Sequence, residues 1–479
     1  MTPMNASRRE FLRAAGALTA AAAGPAGQRF SAPFALSLAG IGALAAGSAQ
    51  AADTSTGYRA LVCLFMQGGN DSHNWVVPLD PTGYAQYAAV RRELAWPAAN
   101  LQAITCSSQA AGRNFGMPIE LQPLRSLYEA GQAAVVANVG PLVRPVTLAE
   151  FNAGVGLPEK LFSHNDQAST WQSLSPEGAR SGWGGRMGDI LMSANANPVF
   201  TAISASGNAV FLSGSSITQY QVDAAGPVSV RVLGDATPFG STTAAAVVRR
   251  TMTAAGATPM QAEYARVMQR SLDTSAQLRT ALAGVSVPAL PTTPISATGG
   301  ATLAQDSLAK QLRMVAQLIG AGQALGMRRQ VFMVSIGGFD SHASQMRDQP
   351  LLMSRVAASA NYFLSALTAM GQLNKVTLFT ASDFGRTLSS NGNGSDHGWG
   401  SHHFVAGGAV MGRNIYGRFP VTALGTADDV GSGRLLPSTS VTEYAAGLAR
   451  WMGLSATEQA MVLPNLGNFS GGALGFMGA

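Results

Sequence analysis

The fold of this chain is decided by residues 60–71, ALVCLFMQGGND. Ala60 to Met66 is an unbroken apolar run of strand length, the pattern of a strand covered on both faces of a sheet. Gln67, Gly68 and Gly69 end the run, and Asn70 and Asp71 follow at once. Paired glycines permit a tight turn and a close approach of backbone to a ligand. The strand therefore delivers a carboxylate just beyond its C-terminal end, the edge at which open α/β sheets build their sites.

The same arrangement recurs twice. Val331–Ile336 leads through Gly337 and Gly338 to Asp340 and His342, and Val376–Thr380 leads through Ala381 and Ser382 to Asp383. Further strand-like runs lie at Ala133–Val139, Val199–Ser204 and Phe404–Val410. From Leu351 to Leu373, apolar residues at Leu352, Val356, Tyr362, Phe363, Leu367 and Met370 mark a helix with a buried face. Strand, long helix and strand form a βαβ unit, so the two strands are expected to be parallel neighbours or near neighbours. A second helix is predicted over Leu303–Leu325. Ser440 and Glu443 form a capping box that opens a third, ending at Gly453. The expected fold is α/β, a central, mostly parallel sheet flanked by helices on both faces.

Composition agrees. Of 479 residues, 47% are hydrophobic and only 12% charged, which excludes a disordered chain and a charged coiled coil. The formal charge of +6 invites a nucleic-acid reading, but part of it is an address. Arg8 and Arg9, followed by Phe11, Leu12 and Arg13, match the twin-arginine export pattern, with apolar stretches behind them and a small-x-small cleavage site at Ala49–Ala51. Without residues 1–51 the chain keeps 27 basic and 24 acidic residues, scattered, and no basic run. No nucleic-acid partner and no membrane span after cleavage are expected, and the periplasm or cell envelope is the expected compartment. Residues 52–479 then read as one domain. It carries a Gly/Ser/Thr-rich insertion at 206–247 and an uncharged, Pro-containing loop or linker at 280–305. Cys63 and Cys106 are either a disulfide or two inert thiols.

The six histidines all lie in segments that also hold a carboxylate: His73, His164, His342, His397, His402 and His403. Such clustering points to metal ligation or acid–base chemistry. Carboxylates with imidazoles favour a divalent metal, Zn²⁺ or Mn²⁺ over Mg²⁺ or Ca²⁺. Asp71, Asp340, His342 and Asp383, with a histidine of the segment from Asp396 to His403, are the expected ligands. Ser163 opens a helix in S-x-x-D form, either as a plain N-cap or as a serine in the positive field of a helix start. Arg386 either clamps an anionic substrate or forms a salt bridge beneath the site. Asn70 and His164 are placed on the substrate side.

These motifs, with Gly182 to Arg186, Phe379–Thr387, Asp396–Phe404 and the closing Pro464 to Leu466, resemble the bacterial family called domain of unknown function 1501. The resemblance covers nearly all of the chain after the export signal. That family is placed in the alkaline phosphatase and sulfatase superfamily, which has a mainly parallel sheet flanked by helices and hydrolyses phosphate or sulfate esters. The resemblance implies metal ligation by Asp71, a nucleophile at Ser163, and further ligands at Asp340 and His342. An Asp-His pair of the superfamily is replaced by Asp383 and Phe384. The final histidine is His397, with His402 or His403 as alternatives. The reading that follows is an exported, metal-dependent hydrolase of small anionic esters, with His402 or His403 protonating the leaving group. The alternative is a non-catalytic envelope protein of the same fold, serving in binding or assembly.

Overall fold

The computed structural model describes residues 57–478 except 229, 235–236 and 297–298. The twin-arginine motif and the cleavage site lie outside the described residues. Arg59–Met66 forms β1, and seven of its eight residues are buried. It runs parallel to β6 (Arg329–Ile336) on one side and to β7 (Val376–Ser382) on the other. The two strands of the expected βαβ unit are therefore near neighbours with β1 between them. Beyond β6, β3 (Ala202–Ser204) and β4 (Tyr220–Asp223) continue the parallel order, and β5 (Gly226–Pro227) turns back antiparallel.

On the far side of β7 the direction reverses. β8 (Ser401–Gly407) is antiparallel to both β7 and β2 (Ala133–Gly140), while β9 (Ile415–Tyr416) and β10 (Thr439–Ser440) pair parallel with β2. The strand predicted at Phe404–Val410 thus starts earlier, at Ser401, and carries His402 and His403 inside the ladder. The polar signal of two histidines hid the strand, because burial on both faces leaves no alternation to read.

Alternate residues of β1 supply two cores. Val62, Leu64 and Met66 pack with Leu278 of α4 (Pro259–Ala283), α5 (Ser307–Gly320) and α6 (Gln345–Ala369) on one face. Leu61, Cys63 and Phe65 pack with α2 (His164–Ser173), α3 (Trp183–Leu191) and α7 (Val441–Trp451) on the other. Each fully buried aliphatic or aromatic side chain contributes about 1.5–3 kcal/mol. Ser440 and Glu443 form the predicted capping box of α7. α6 begins six residues before its predicted start and continues through Pro350. The extra turns are anchored by Gln345 and Gln349, both buried against Asp71. The stretch read as a loop at 280–305 contains a short antiparallel pair, Pro294–Ser296 with Gly299–Thr302. Cys63 is buried and Cys106 half-buried, and both are free thiols. Among the described residues no helix is long and apolar enough to cross a membrane.

The turn after β1 depends on its glycines. Gly68 and Gly69 have φ of +111° and +80°, a region favourable only to glycine. A Cβ on Gly68 would overlap the Asp340 backbone, and one on Gly69 the Phe384 ring. The absence of side chains here lets the loops after β6 and β7 close over the end of β1.

Candidate metal centre

The loop after β6 carries Asp340 and His342. A hairpin after β7, Arg386–Ser390 paired with Ser395–His397, carries His397, and the first residue of α2 is His164. Their side chains converge. His164, Asp340 and His397 each place a donor atom within 4.8 Å of the other two. Asp340 Oδ1 lies 3.5 Å from His164 Nε2, 3.2 Å from His342 Nε2 and 3.7 Å from His397 Nε2. The Nε2 atoms of His342 and His397 are 2.9 Å apart.

The partners of the other ring nitrogens fix the tautomers. His164 Nδ1 is 2.8 Å from Asp383, His342 Nδ1 is 3.0 Å from Asp396, and His397 Nδ1 is 2.8 Å from the Phe162 carbonyl. Ionised carboxylates and carbonyls only accept, so each Nδ1 carries the proton and each Nε2 presents a lone pair. Phe162 reaches this position with a left-handed φ of 68°. Two lone pairs facing each other at 2.9 Å repel unless a proton or a cation lies between them. Burial, and the neighbouring His164 and Arg386, lower the pKa of His397 and disfavour the proton. Carboxylates and carbonyls that hold histidines through Nδ1 are the usual outer layer of metal sites. The donor spacings bracket the ~3.3 Å edge of a tetrahedron with zinc–nitrogen bonds of about 2.0–2.1 Å. The residues therefore fit a divalent cation.

Arg386 takes the salt-bridge role. Its side chain is fully buried and pairs with Asp340. Its other N–H groups donate to the carbonyls of Gly69 at 2.9 Å, Gly68 at 2.8 Å, Ser395 at 3.0 Å and Phe339 at 3.2 Å, and its Nη1 also lies 3.3 Å from the lone pair of His342 Nε2. No donor is left exposed to clamp a substrate anion. Burial works against the Asp340 carboxylate, but Arg386 together with His164 and His342 outweighs it and the pKa is lowered. Asp383 differs: desolvation dominates and its pKa is raised despite His164.

Several expected site residues stand elsewhere. Asp71 is fully buried and ion-paired with Arg91, at the end of α1 (Pro81–Arg91), and also accepts from Gln345. Burial penalises its charge, yet Arg91, His73 and Gln345 together lower its pKa. It braces the turn from beneath and does not join the cluster. Asp383 likewise orients His164 through Oδ2. Asn70 is buried, with its backbone N–H on Ser382 Oγ at 2.8 Å and no protein partner for its carboxamide. Ser163 is the N-cap of α2, but its hydroxyl donates to Asp166 at 2.8 Å. His402 accepts from the Asn138 N–H at 3.1 Å and stacks on Phe419, and His403 lies 3.2 Å from Thr380 Oγ1. Both rings are at most 1% exposed, so neither is placed to protonate a leaving group at the sheet edge. The spacing of the motifs did not reveal His164 as a cluster member, Asp396 as an orienting group or the Phe162 carbonyl. The carboxylates accompanying each histidine were the available signal for the first two.

The buried histidines make stability sensitive to mild acid. Desolvation lowers the His403 pKa from 6.5 to about 3. Below pH 6.5 the unfolded chain binds a proton that the folded chain refuses, so stability present at neutral pH is lost as pH falls toward 3. Between pH 6 and 5 the loss per histidine is roughly 1 kcal/mol. Urea unfolding of His403→Gln is expected to show a pH dependence shallower by that amount. An unchanged slope would contradict burial of a neutral ring.

The sheet and this centre define an α/β protein with a histidine–carboxylate cluster at the C-terminal edge of its parallel strands. Residues 58–462 match the family described as "Protein of unknown function (DUF1501)", and the chain belongs to that family. No curated protein matches the sequence. Among solved structures, the PsFucS1 sulfatase from Pseudoalteromonas sp. is similar at 10% identity, with 80% of this chain and 68% of that chain covered and a TM-score of 0.32. The lipoteichoic acid synthase LtaP from Listeria monocytogenes is similar at 8% identity, over 86% and 76% of the two chains, with a TM-score of 0.32. A mutant of the alkaline phosphatase PafA is similar at 9% identity, over 69% and 64%, with a TM-score of 0.26.

Proposed function

We propose that this protein is an exported hydrolase of phosphate or sulfate esters working with one divalent cation, zinc or manganese. The observation that carries the reading is the convergence of three Nε2 lone pairs on Asp340, with His342 and His397 facing each other at 2.9 Å. His164, His342, His397 and Asp340 would hold the cation. Among the described residues His164, Asp340 and His397 are the single group of donors all within 4.8 Å of one another, with His342 beside them, so the reading is for one cation. Export rests on Arg8 and Arg9, and the superfamily placement on the resemblance carried by the sequence motifs.

Bound there, a divalent cation supplies Lewis acidity that polarises an ester oxygen and acidifies a water. The chain's own residues do the rest. Asp383, Asp396 and the Phe162 carbonyl hold three Nδ1 protons, so no ring can turn its lone pair away. Arg386 keeps Asp340 ionised and pinned to the backbone of the β1 turn. Ser163 is engaged with Asp166, whose pKa is lowered by that bond and by Lys160 although burial opposes this. Ser163 commits its hydroxyl proton to Asp166 and lies outside the donor group, so in this reading water supplies the attacking oxygen. Its oxygen bonds to phosphorus or sulfur, the ester P–O or S–O bond breaks with its electron pair leaving on the alcohol oxygen, and the proton released by the attacking water passes to that oxygen.

Metal analysis of untagged protein, followed by assays on aryl phosphates, phosphodiesters and aryl sulfates, tests the reading. Roughly one equivalent of zinc or manganese is expected, with hydrolysis in at least one class and Ser163→Ala retaining it. Metal-free protein that takes up no added zinc or manganese would overturn the cation; loss of hydrolysis in Ser163→Ala would restore the serine.

A further inference from the structure

A groove of about 240 Å³ opens beside the cluster, with His164 and Asp383 in its wall. Phe65, near the end of β1, and Met333, within β6, contribute apolar surface. The remaining polar lining is made by Gln67, Asn165, Gln172, Ser206 and Asn208. Among the described lining residues there is no Lys or Arg.

Several of these groups are already oriented. Gln172 Oε1 accepts the Phe211 N–H at 3.2 Å, which leaves its NH₂ as a donor. Asn208 Oδ1 accepts from Gln221, with the same consequence for its NH₂. Gln67 Nε2 donates to Ser335 Oγ at 3.4 Å, which leaves its carbonyl as an acceptor. The groove therefore offers neutral donors and neutral acceptors together, beside a small apolar surface. An anion has no cation to meet here, and a purely apolar group would cover the amides without satisfying them. A group bearing several hydroxyls matches both requirements, because each hydroxyl donates and accepts and the C–H face of a ring covers apolar surface.

We propose that this groove binds an uncharged polyhydroxylated ring, a sugar, as the alcohol portion of the ester. The charged end of the same ester lies toward the cluster. That this ring belongs to an ester rests on the hydrolase reading; the sugar site does not require it.

The test is saturation-transfer NMR on chelator-stripped protein, with a panel of methyl hexosides as probes and cyclohexanol and inorganic sulfate as controls. Transfer to the ring protons of at least one hexoside is expected, and none to cyclohexanol. Affinity is expected to fall about tenfold in Asn208→Leu combined with Asn165→Leu, two exposed positions whose replacement spares the core. Absence of transfer to every hexoside, or transfer unchanged in the double variant, would overturn the sugar site. Metal is absent from this experiment, so its failure leaves the hydrolase reading standing. Sugar binding in a protein that never takes up metal would sink the hydrolase reading and keep the groove.

Discussion

Replacing His397 with alanine is expected to reduce bound zinc or manganese from about one equivalent to a trace and to lower ester hydrolysis by on the order of 10³-fold. His397 is the best single probe because its Nε2 faces both His342 and Asp340, while its Nδ1 is committed to the Phe162 carbonyl. Removing Asp340 instead would also strand the buried guanidinium of Arg386, so a stability loss would cloud the result. Asp396→Asn gives the graded counterpart. It keeps the volume but weakens the acceptor that orients His342, and metal affinity is expected to fall about 10–100-fold with the fold intact. Equilibrium dialysis with metal analysis reads both variants. Full metal content in His397→Ala would remove His397 from the ligand set.

The second large effect concerns Asp71 and Arg91. Both side chains are fully buried and paired with each other, and Arg91 also donates to the carbonyls of Thr387 at 3.0 Å and Leu388 at 3.2 Å. Arg91→Met leaves an uncompensated carboxylate in the interior and is expected to cost about 3–5 kcal/mol in urea unfolding. Adding Asp71→Asn to that variant removes the stranded charge and should recover part of the loss. Asp71→Asn alone separates bracing from ligation, since it should destabilise the protein yet leave its metal content unchanged. Loss of metal together with unaltered stability would return Asp71 to the ligand set.

These two cases show how far the motifs could be read. Asp71, Asp340 and Asp383 all follow strands through tight turns, and on sequence they are equivalent. In the structure one braces, one converges with the histidines and one orients His164. The difference lies in which partner each meets across long stretches of chain: Arg91 for Asp71, Arg386 for Asp340, His164 for Asp383. A local pattern carries no information about such partners. His402 and His403 illustrate the same point from the other side. They sit near His397 in sequence, but strand pairing with β2 and β7 seals them inside the sheet.

What the sequence determined by itself is what depends on neighbouring residues. Apolar runs of strand length set the parallel centre of the sheet, the Ser440 capping box set a helix start, and glycine turns set the edge at which carboxylates emerge. The grouping of histidines with acids marked the region of the chemistry. Tertiary structure alone decided which of these groups share one centre, because His164, Asp340 and His397 lie far apart along the chain. It also decided their tautomers and their charge, since those depend on the Phe162 carbonyl, Asp383, Asp396 and the buried Arg386. Donor identity is local chemistry; convergence, burial and proton placement follow from packing.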